Sequence, residues 1–253
     1  MGHVGEERDT DEPPGVPAGY RERASRLAGA VLWTRTALPS DRPVLPDGCT
    51  DLIWSEGRLL VAGPDTGPHL PEGVVPGTRH VGLRFAPGQG PAVFGVPARE
   101  LRDQRVPLAD LWPAGRVRAL AGRLAGAGER GGGGGIGRLL EETAGARLQD
   151  AAAAGDRIAA VAAALARGRP VAEVARSVAL SERQLHRLSL DAFGYGPKTL
   201  TRVLRLVRAL DLARSGMPGA QVAALAGYAD QAHLAREVKS LAGAPMGALL
   251  APG

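Results

Sequence analysis

The chain has 253 residues, with 31 Lys+Arg against 26 Asp+Glu, a formal net charge of +5 and 44% hydrophobic residues. That apolar share supports packed cores and excludes a wholly disordered chain. A single cysteine, Cys49, excludes a disulfide framework and any cysteine-rich zinc site and fits a reducing cytoplasm. No apolar run approaches the roughly 18 residues that a membrane span needs, and the acidic, polar N-terminus (MGHVGEERDTDEPPG) is not a signal peptide.

In chain order, residues 1–19 hold Pro13, Pro14, Pro17 and five carboxylates with little apolar material, and read as a disordered tail. Residues 20–126 read as a β-rich domain with helices, a small barrel or sandwich punctuated by Pro and Gly. Segment 29–37 (GAVLWTRTA) is apolar and β-branched. Segment 51–62 (DLIWSEGRLLVA) has two apolar arms around Glu56-Gly57, a hairpin signal. Segment 79–85 alternates, with Val81, Leu83 and Phe85 on one face. Residues 88–126 turn helical, with Val117, Leu120 and Leu124 at helical spacing. Residues 127–135 (AGERGGGGG) contain five consecutive glycines and read as a linker; no Lys-Ser/Thr follows them, so a phosphate loop is set aside. Residues 136–155, opened by Ile136, Leu139 and Leu140, are expected to form a connecting helix.

From 156 to 253 the periodicity is 3.6 throughout, which makes the whole chain an α+β protein with an all-α C-terminal domain. The charge divides at the same place. Residues 1–155 carry 18 Lys+Arg and 19 Asp+Glu (−1), and residues 156–253 carry 13 and 7 (+6). A basic half suggests a polyanionic partner. One helix marked by Ile158, Val161 and Leu165 starts near Asp156 and stops at Gly168 and Pro170. A longer one is expected from about Pro197 to Ser215. Its Leu200, Val203, Leu204, Val207, Leu210 and Leu212 face a core, with Arg202, Arg205 and Arg208 outside it.

The informative feature is an internal repeat. Residues 174–187 (VARSVALSERQLHR) and 222–236 (VAALAGYADQAHLAR) align with Val174-Ala175 on Val222-Ala223 and Ala179-Leu180 on Gly227-Tyr228, each 48 apart. Leu185 and Arg187 align with Leu234 and Arg236, now 49 apart, so the second copy has one extra residue in its turn or at the start of its second helix. Each copy reads as a helix-turn-helix. Ala175 and Ala223 let two helices cross closely, and Ala179 and Gly227 permit a tight turn. Ser181 and Asp230 cap the second helices. Leu185 with Leu188, and Leu234 with Val238 and Leu241, pin those helices to a core. The outward residues are then Arg183, Gln184, His186 and Arg187 in the first copy, and Gln231, Ala232, His233, Ala235, Arg236 and Lys239 in the second. Arg and Gln pair bidentately with guanine and adenine edges.

Residues 227–245 (GYADQAHLAREVKSLAGAP) resemble the signature of AraC/XylS-family transcriptional regulators. The family pattern, Gly-aromatic-x-x-Gln-x-His-Phe-x-Arg-x-Phe-Lys with a later Gly and Pro, is met by Gly227, Tyr228, Gln231, His233, Arg236, Lys239, Gly243 and Pro245. Leu234 and Val238 replace the family's Phe residues and stay apolar. Phe193 to Pro197 resembles the end of the family's first motif, and the likeness spans about residues 156–251. It implies two recognition helices on a rigid connector, entering adjacent major grooves about one turn (~34 Å) apart on double-stranded DNA. By motif position the readers are Arg183, His186 and Arg187, then Ala232, His233 and Arg236, with Ala232 limited to apolar contact such as a thymine methyl. The fragments VLPDGCTDLIW, VGLRFAPG and FGVPARELRDQRVPLADLW resemble a sensor-like domain found ahead of such regulators in many actinobacterial chains. In related regulators that part binds an effector or dimerises, and RNA polymerase is a further expected partner.

Other sites weigh less. Cys49 reads as structural, because Asp47 and Asp51 beside it raise a thiol pKa. The competing reading makes it an alkyl acceptor in a DNA-repair or adaptive-response type of protein that uses the same DNA-binding module. Cys49, His69 and His80 lack metal-site spacing. Trp33, Trp54 and Phe85 are candidate ligand-pocket walls, with core packing as the plainer reading. No catalytic residue, metal or cofactor is expected.

Overall fold

The computed structural model describes residues 19–38, 42–71 and 75–251. The expected N-terminal tail lies outside the described residues, apart from Gly19. Six strands form a single antiparallel sheet: β1 (Tyr20–Ala24), β2 (Val31–Thr36), β3 (Thr50–Ser55), β4 (Arg58–Ala62), β5 (Arg79–Phe85) and β6 (Arg105–Pro107), in the order β1-β2-β5-β3-β4-β6. Among the described residues the β-rich domain thus has one six-stranded sheet with β1 and β6 at its edges. The Glu56-Gly57 hairpin forms as read, with both residues at positive φ (46° and 81°), the primed geometry that suits a two-residue turn.

The alternation of β5 puts Val81, Leu83 and Phe85 into a core shared with Leu32, Leu52, Trp54, Leu59 and Val61. Two short helices, α1 (Gly90–Phe94) and α2 (Ala98–Leu101), and a 3-10 turn at Leu108–Asp110 close one end of it. The other cover is α3 (Ala114–Asp150), and here the structure departs from the sequence reading. The glycine run is no linker. It lies within α3, whose only non-helical backbone is at Gly132 (φ 54°, ψ −147°), where the helix folds back on itself. A Cβ at Gly135 would meet the Ala127 carbonyl oxygen at 2.6 Å, and one at Gly137 would meet Leu32 at 2.2 Å. The glycines thus let two helical arms approach each other and the sheet, and that packing overrides their poor helix propensity. The second arm buries Ile136, Leu139, Leu140 and Ala144 in the sheet core, so the expected connecting helix belongs to the N-terminal unit. It is riveted there by Glu141, which accepts from Arg23 Nη1 (3.1 Å), Ser25 Oγ (2.9 Å) and the Arg26 amide (3.1 Å).

The C-terminal domain is all helical: α4 (Ala152–Ala166), α5 (Val171–Ser177), α6 (Glu182–Phe193), α7 (Pro197–Arg214), α8 (Gly219–Ala226), α9 (Gln231–Ala242) and α10 (Met246–Leu250). It has two cores. One joins Val161, Leu165, Val174, Leu185, Phe193 and Leu200, and the other joins Leu206, Leu210, Val222, Leu234, Val238 and Leu241. Helix α7 contributes to both and is the connector.

Candidate nucleic-acid interface

The two copies of the repeat fold alike. In each, the first helix ends in a left-handed residue, Ala179 (φ 55°) and Gly227 (φ 81°). In each, the following amide donates back to the small residue at the crossing: Leu180 N to Ala175 O at 2.9 Å, and Tyr228 N to Ala223 O at 2.8 Å. The extra residue of the second copy lies in the turn, between Gly227 and its N-cap, and the helices α6 and α9 are both 12 residues long.

Both expected caps form. Ser181 Oγ accepts from the Gln184 amide, and Gln184 Oε1 accepts from the Ser181 amide at 2.8 Å, a reciprocal box. Asp230 Oδ1 accepts from the His233 amide at 2.6 Å. The buried faces are Leu185, Ser189, Ala192 and Phe193 on α6, and Leu234, Val238, Leu241 and Ala242 on α9. Opposite them Arg183, Gln184, His186 and Arg187 are exposed, as are Gln231, Ala232, Ala235, Arg236 and Lys239. Among the described residues Arg183, Arg187, Arg236 and Lys239 enter no ion pair or side-chain hydrogen bond, which leaves their donors free.

Three of the expected readers carry structural work as well. Gln184 lends its carbonyl to the cap. Gln231 lies over Gly219, where a Cβ would meet Nε2 at 2.9 Å. His233 is half-buried: it stacks edge-on to Tyr228 (centroids 5.4 Å apart), and its Nδ1 accepts from the Ala229 amide at 3.3 Å. It therefore fixes the longer turn of the second copy.

The connector holds a clamp that the sequence reading missed. Arg202 donates through Nε (2.9 Å) and Nη2 (3.1 Å) to Glu237 of α9. Arg205 lies 3.6 Å from the same carboxylate and donates to the Gly227 carbonyl at 3.2 Å. Its guanidinium also stands 4.5 Å from the centre of the Tyr228 ring. The hydrogen bonds from Arg202 hold the Glu237 carboxyl below its usual range. Part of the local basic charge is thus consumed internally. The available signal was Glu237 itself, the one acid inside a basic helix.

Residues 174–251 match the family described as helix-turn-helix domain, and residues 30–107 match a domain of unknown function, DUF6597. The match gives the C-terminal part of this chain a helix-turn-helix domain, in agreement with the AraC-type resemblance of its residues. That domain supports a role in DNA-binding transcriptional regulation. A comparison with the curated proteins finds no match. Solved structures similar to the chain include ToxT from Vibrio cholerae (9% identity, 92% of this chain and 98% of that one, TM-score 0.45). Others are an apo variant of ToxT (11%, 91% and 98%, 0.47) and unsaturated fatty acid-bound wild-type ToxT (10%, 87% and 94%, 0.43), both from Vibrio cholerae.

The AraC-type domain is joined to the N-terminal unit mainly through its first copy. Arg102 donates to the Gly194 carbonyl at 3.3 Å, and Tyr195 donates its buried hydroxyl to the Asp65 carbonyl at 3.1 Å. Arg99 pairs with Asp191 of α6.

In the N-terminal domain the candidate pocket aromatics are packing groups. Trp54 and Phe85 sit in the sheet core, Phe85 edge-on to Phe94. Trp33 lies on the opposite face over Gly82 and donates to Asp51 at 2.6 Å. Two open clefts among the described residues lie along α3 between Arg116, Arg123, Arg138 and Glu142, away from these aromatics. Burial pushes the Cys49 thiol well above its ordinary pKa, with the Asp47 charge adding to it, so a thiolate is disfavoured at neutral pH. No cluster able to hold a metal ion occurs among the described residues, and no helix among them is long and apolar enough to cross a membrane.

Proposed function

We propose that this regulator reads a specific operator with α6 and α9 placed in two adjacent major grooves on one face of the duplex, about 34 Å apart. The carrying observation is the pair of capped, equal-length helices on one connector, each presenting two basic side chains that no ion pair engages. On this reading Arg183 and Arg187, and Arg236 with Lys239, contact base edges and phosphates. Ala232 offers a methyl surface, and Gln184, His186, Gln231 and His233 line the groove, Gln184 and His233 while also holding their turns. The N-terminal sheet domain controls the reader through an effector or by forming a homodimer, and RNA polymerase is the downstream partner. The protein acts in the cytoplasm and without catalysis.

In vitro selection from a random DNA pool tests this. The expected product is a motif of two short blocks about ten base pairs apart, with binding that falls steeply as salt rises, because phosphate contacts release counterions. Recovery of no enriched motif overturns the reading. The alkyl-acceptor alternative predicts a selective adduct on Cys49 after exposure to an alkylating agent, readable by mass spectrometry. The raised thiol pKa predicts that none forms.

A further inference from the structure

The recognition helices end in the same way, with left-handed glycines Gly194 (φ 81°) and Gly243 (φ 72°) lying 49 residues apart, in the register of the repeat. One loop of the N-terminal domain touches both. Pro64 lies against Gly194, where a Cβ would come within 2.6 Å of its Cγ, and Pro68 lies against Gly243, at 3.2 Å by the same measure. Between them the Asp65 carbonyl receives the Tyr195 hydroxyl.

The loop is held stiffly from behind. The Asp65 carboxylate takes Arg105 through two bonds of 2.8 and 2.6 Å, and Thr66 is held by Asp103 through its amide and hydroxyl. His69 and Val44 exchange backbone bonds of 2.8 Å, tying the loop to a second segment, 42–48. That segment also reaches both halves of the reader. Gly48 faces Leu200 and Leu204 of the connector, and Leu45 packs on the second core. Arg42 donates to the Leu249 and Ala251 carbonyls at the end of α10. Arg84 anchors the segment to the sheet through Asp47 at 3.3 Å.

We infer that these two segments form a brace that fixes the separation of the two recognition helices, so that residues of the N-terminal domain set the spacing of DNA blocks the protein accepts. Pro64, Asp65, Pro68 and Arg42 are positioning residues: they touch no DNA on this geometry and act through Gly194, Tyr195, Gly243 and α10. The brace also gives the N-terminal domain a mechanical route to the reader, because displacing the loop from either glycine releases one copy relative to the other. The inference rests on the two-groove reading for its consequence on DNA, but the brace itself is measurable without DNA.

The test uses the full chain and the double variant Arg42→Ala, Tyr195→Phe, which removes the second segment's bonds to the end of α10 and the loop's bond to Tyr195 and leaves the exposed faces of α6 and α9 unchanged. Spin labels at Glu182→Cys and Ala235→Cys, in a Cys49→Ser background, report the distance between the helices. A narrow distribution that broadens in the double variant is expected. An unchanged distribution overturns the brace as a bonded device, because it would mean that its polar links to Tyr195 and α10 do not set the separation. On DNA, one base pair inserted between the blocks shifts the second groove by about 3.4 Å and about 35°. It should weaken the parent at least tenfold and the double variant clearly less, with affinity for the uninserted site kept within threefold. Equal penalties overturn the link to spacing. Absence of any specific site, with the label distances behaving as expected, would sink the DNA reading and leave the brace standing.

Discussion

The two helix-turn-helix copies share caps, turn bonds and helix length, yet different parts of the chain hold them in place. The first is fixed from outside: its second helix, α6, ends against the N-terminal domain through Arg102, Tyr195 and the Arg99–Asp191 pair. The second is fixed mainly from within the domain, by Arg202 and Arg205 of the connector closing on Glu237 and Tyr228. A duplicated motif needs each copy oriented, and here neighbouring surfaces, not the motif, supply the orientation.

The largest effect expected from breaking either copy is loss of its core pin. Leu185 (0% exposed) and Leu234 (3%) sit in separate clusters. Leu185→Ala and Leu234→Ala should each destabilise by about 2–4 kcal/mol, from lost burial plus the cavity left behind. Because the clusters do not share these residues, the double variant should lose the sum to within about 0.5 kcal/mol. Denaturant titration of all four proteins checks this. A large departure from additivity would mean that the copies are one core.

Next in size are the exposed arginines. Arg187→Ala and Arg236→Ala should each weaken binding to the selected site by about 1–3 kcal/mol with unchanged unfolding midpoints. Each should relax sequence preference only in its own block, so titrations against block-scrambled duplexes separate the two copies. Loss spread equally over both blocks would argue for phosphate contacts in place of base reading.

Much of this comparison was legible in the residues. The repeat, both caps, the connector from Pro197 and the Glu56-Gly57 hairpin follow from spacing and turn chemistry, which are local. What was not legible is where local rules meet tertiary packing. Five glycines in a row signal a break, and the backbone does turn at Gly132, but the two arms pack together there because Gly135 and, beyond the run, Gly137 leave room for Ala127 and Leu32. Leu206 of α7, fully buried, was not among the expected core positions. The Arg202–Glu237 bond joins residues 35 apart, and no pattern of period 3.6 or 2 encodes it. Likewise the contacts of Pro64 and Pro68 with the two glycines become visible only once both domains are in place.

The clamp offers a third, smaller effect, expected in the second copy alone. Glu237→Gln removes its charge and should destabilise by about 1 kcal/mol at pH 7, a modest figure because Arg202 is substantially solvent-exposed. The sign with pH follows from the lowered carboxyl. As the pH drops below the ordinary value of 4.5, the unfolded chain takes up a proton before the folded one does. The stabilisation is therefore complete above that value and fades as the pH falls through the folded pKa. Glu141 acts in the same direction: burial alone would raise it, but the bonds from Arg23, Ser25 and the Arg26 amide outweigh that and lower it. Urea unfolding at pH 7 and pH 3 should show the gap between parent and Glu237→Gln closing in acid. A gap of equal size at both would mean that the charge of Glu237 is not what holds α9.

The smallest effect concerns the turn, where the copies differ by one side chain. Ala179 and Gly227 occupy the same left-handed position, but only glycine does so without steric strain. A Cβ in that region costs about 1–2 kcal/mol. Replacing alanine by glycine returns about 0.4–1 kcal/mol to the unfolded chain as extra entropy. Ala179→Gly should therefore stabilise by about 0.5–1 kcal/mol, while Gly227→Ala should destabilise by a similar amount. Ala179 is exposed and its methyl cannot hydrogen-bond, so the backbone term decides the outcome. Thermal midpoints moving in opposite directions in the two variants would establish that the copies share one turn geometry. If Ala179→Gly lowers the midpoint, the Ala179 methyl must be making a contact that outweighs its strain, and the first copy's turn is held by packing where the second's is held by glycine.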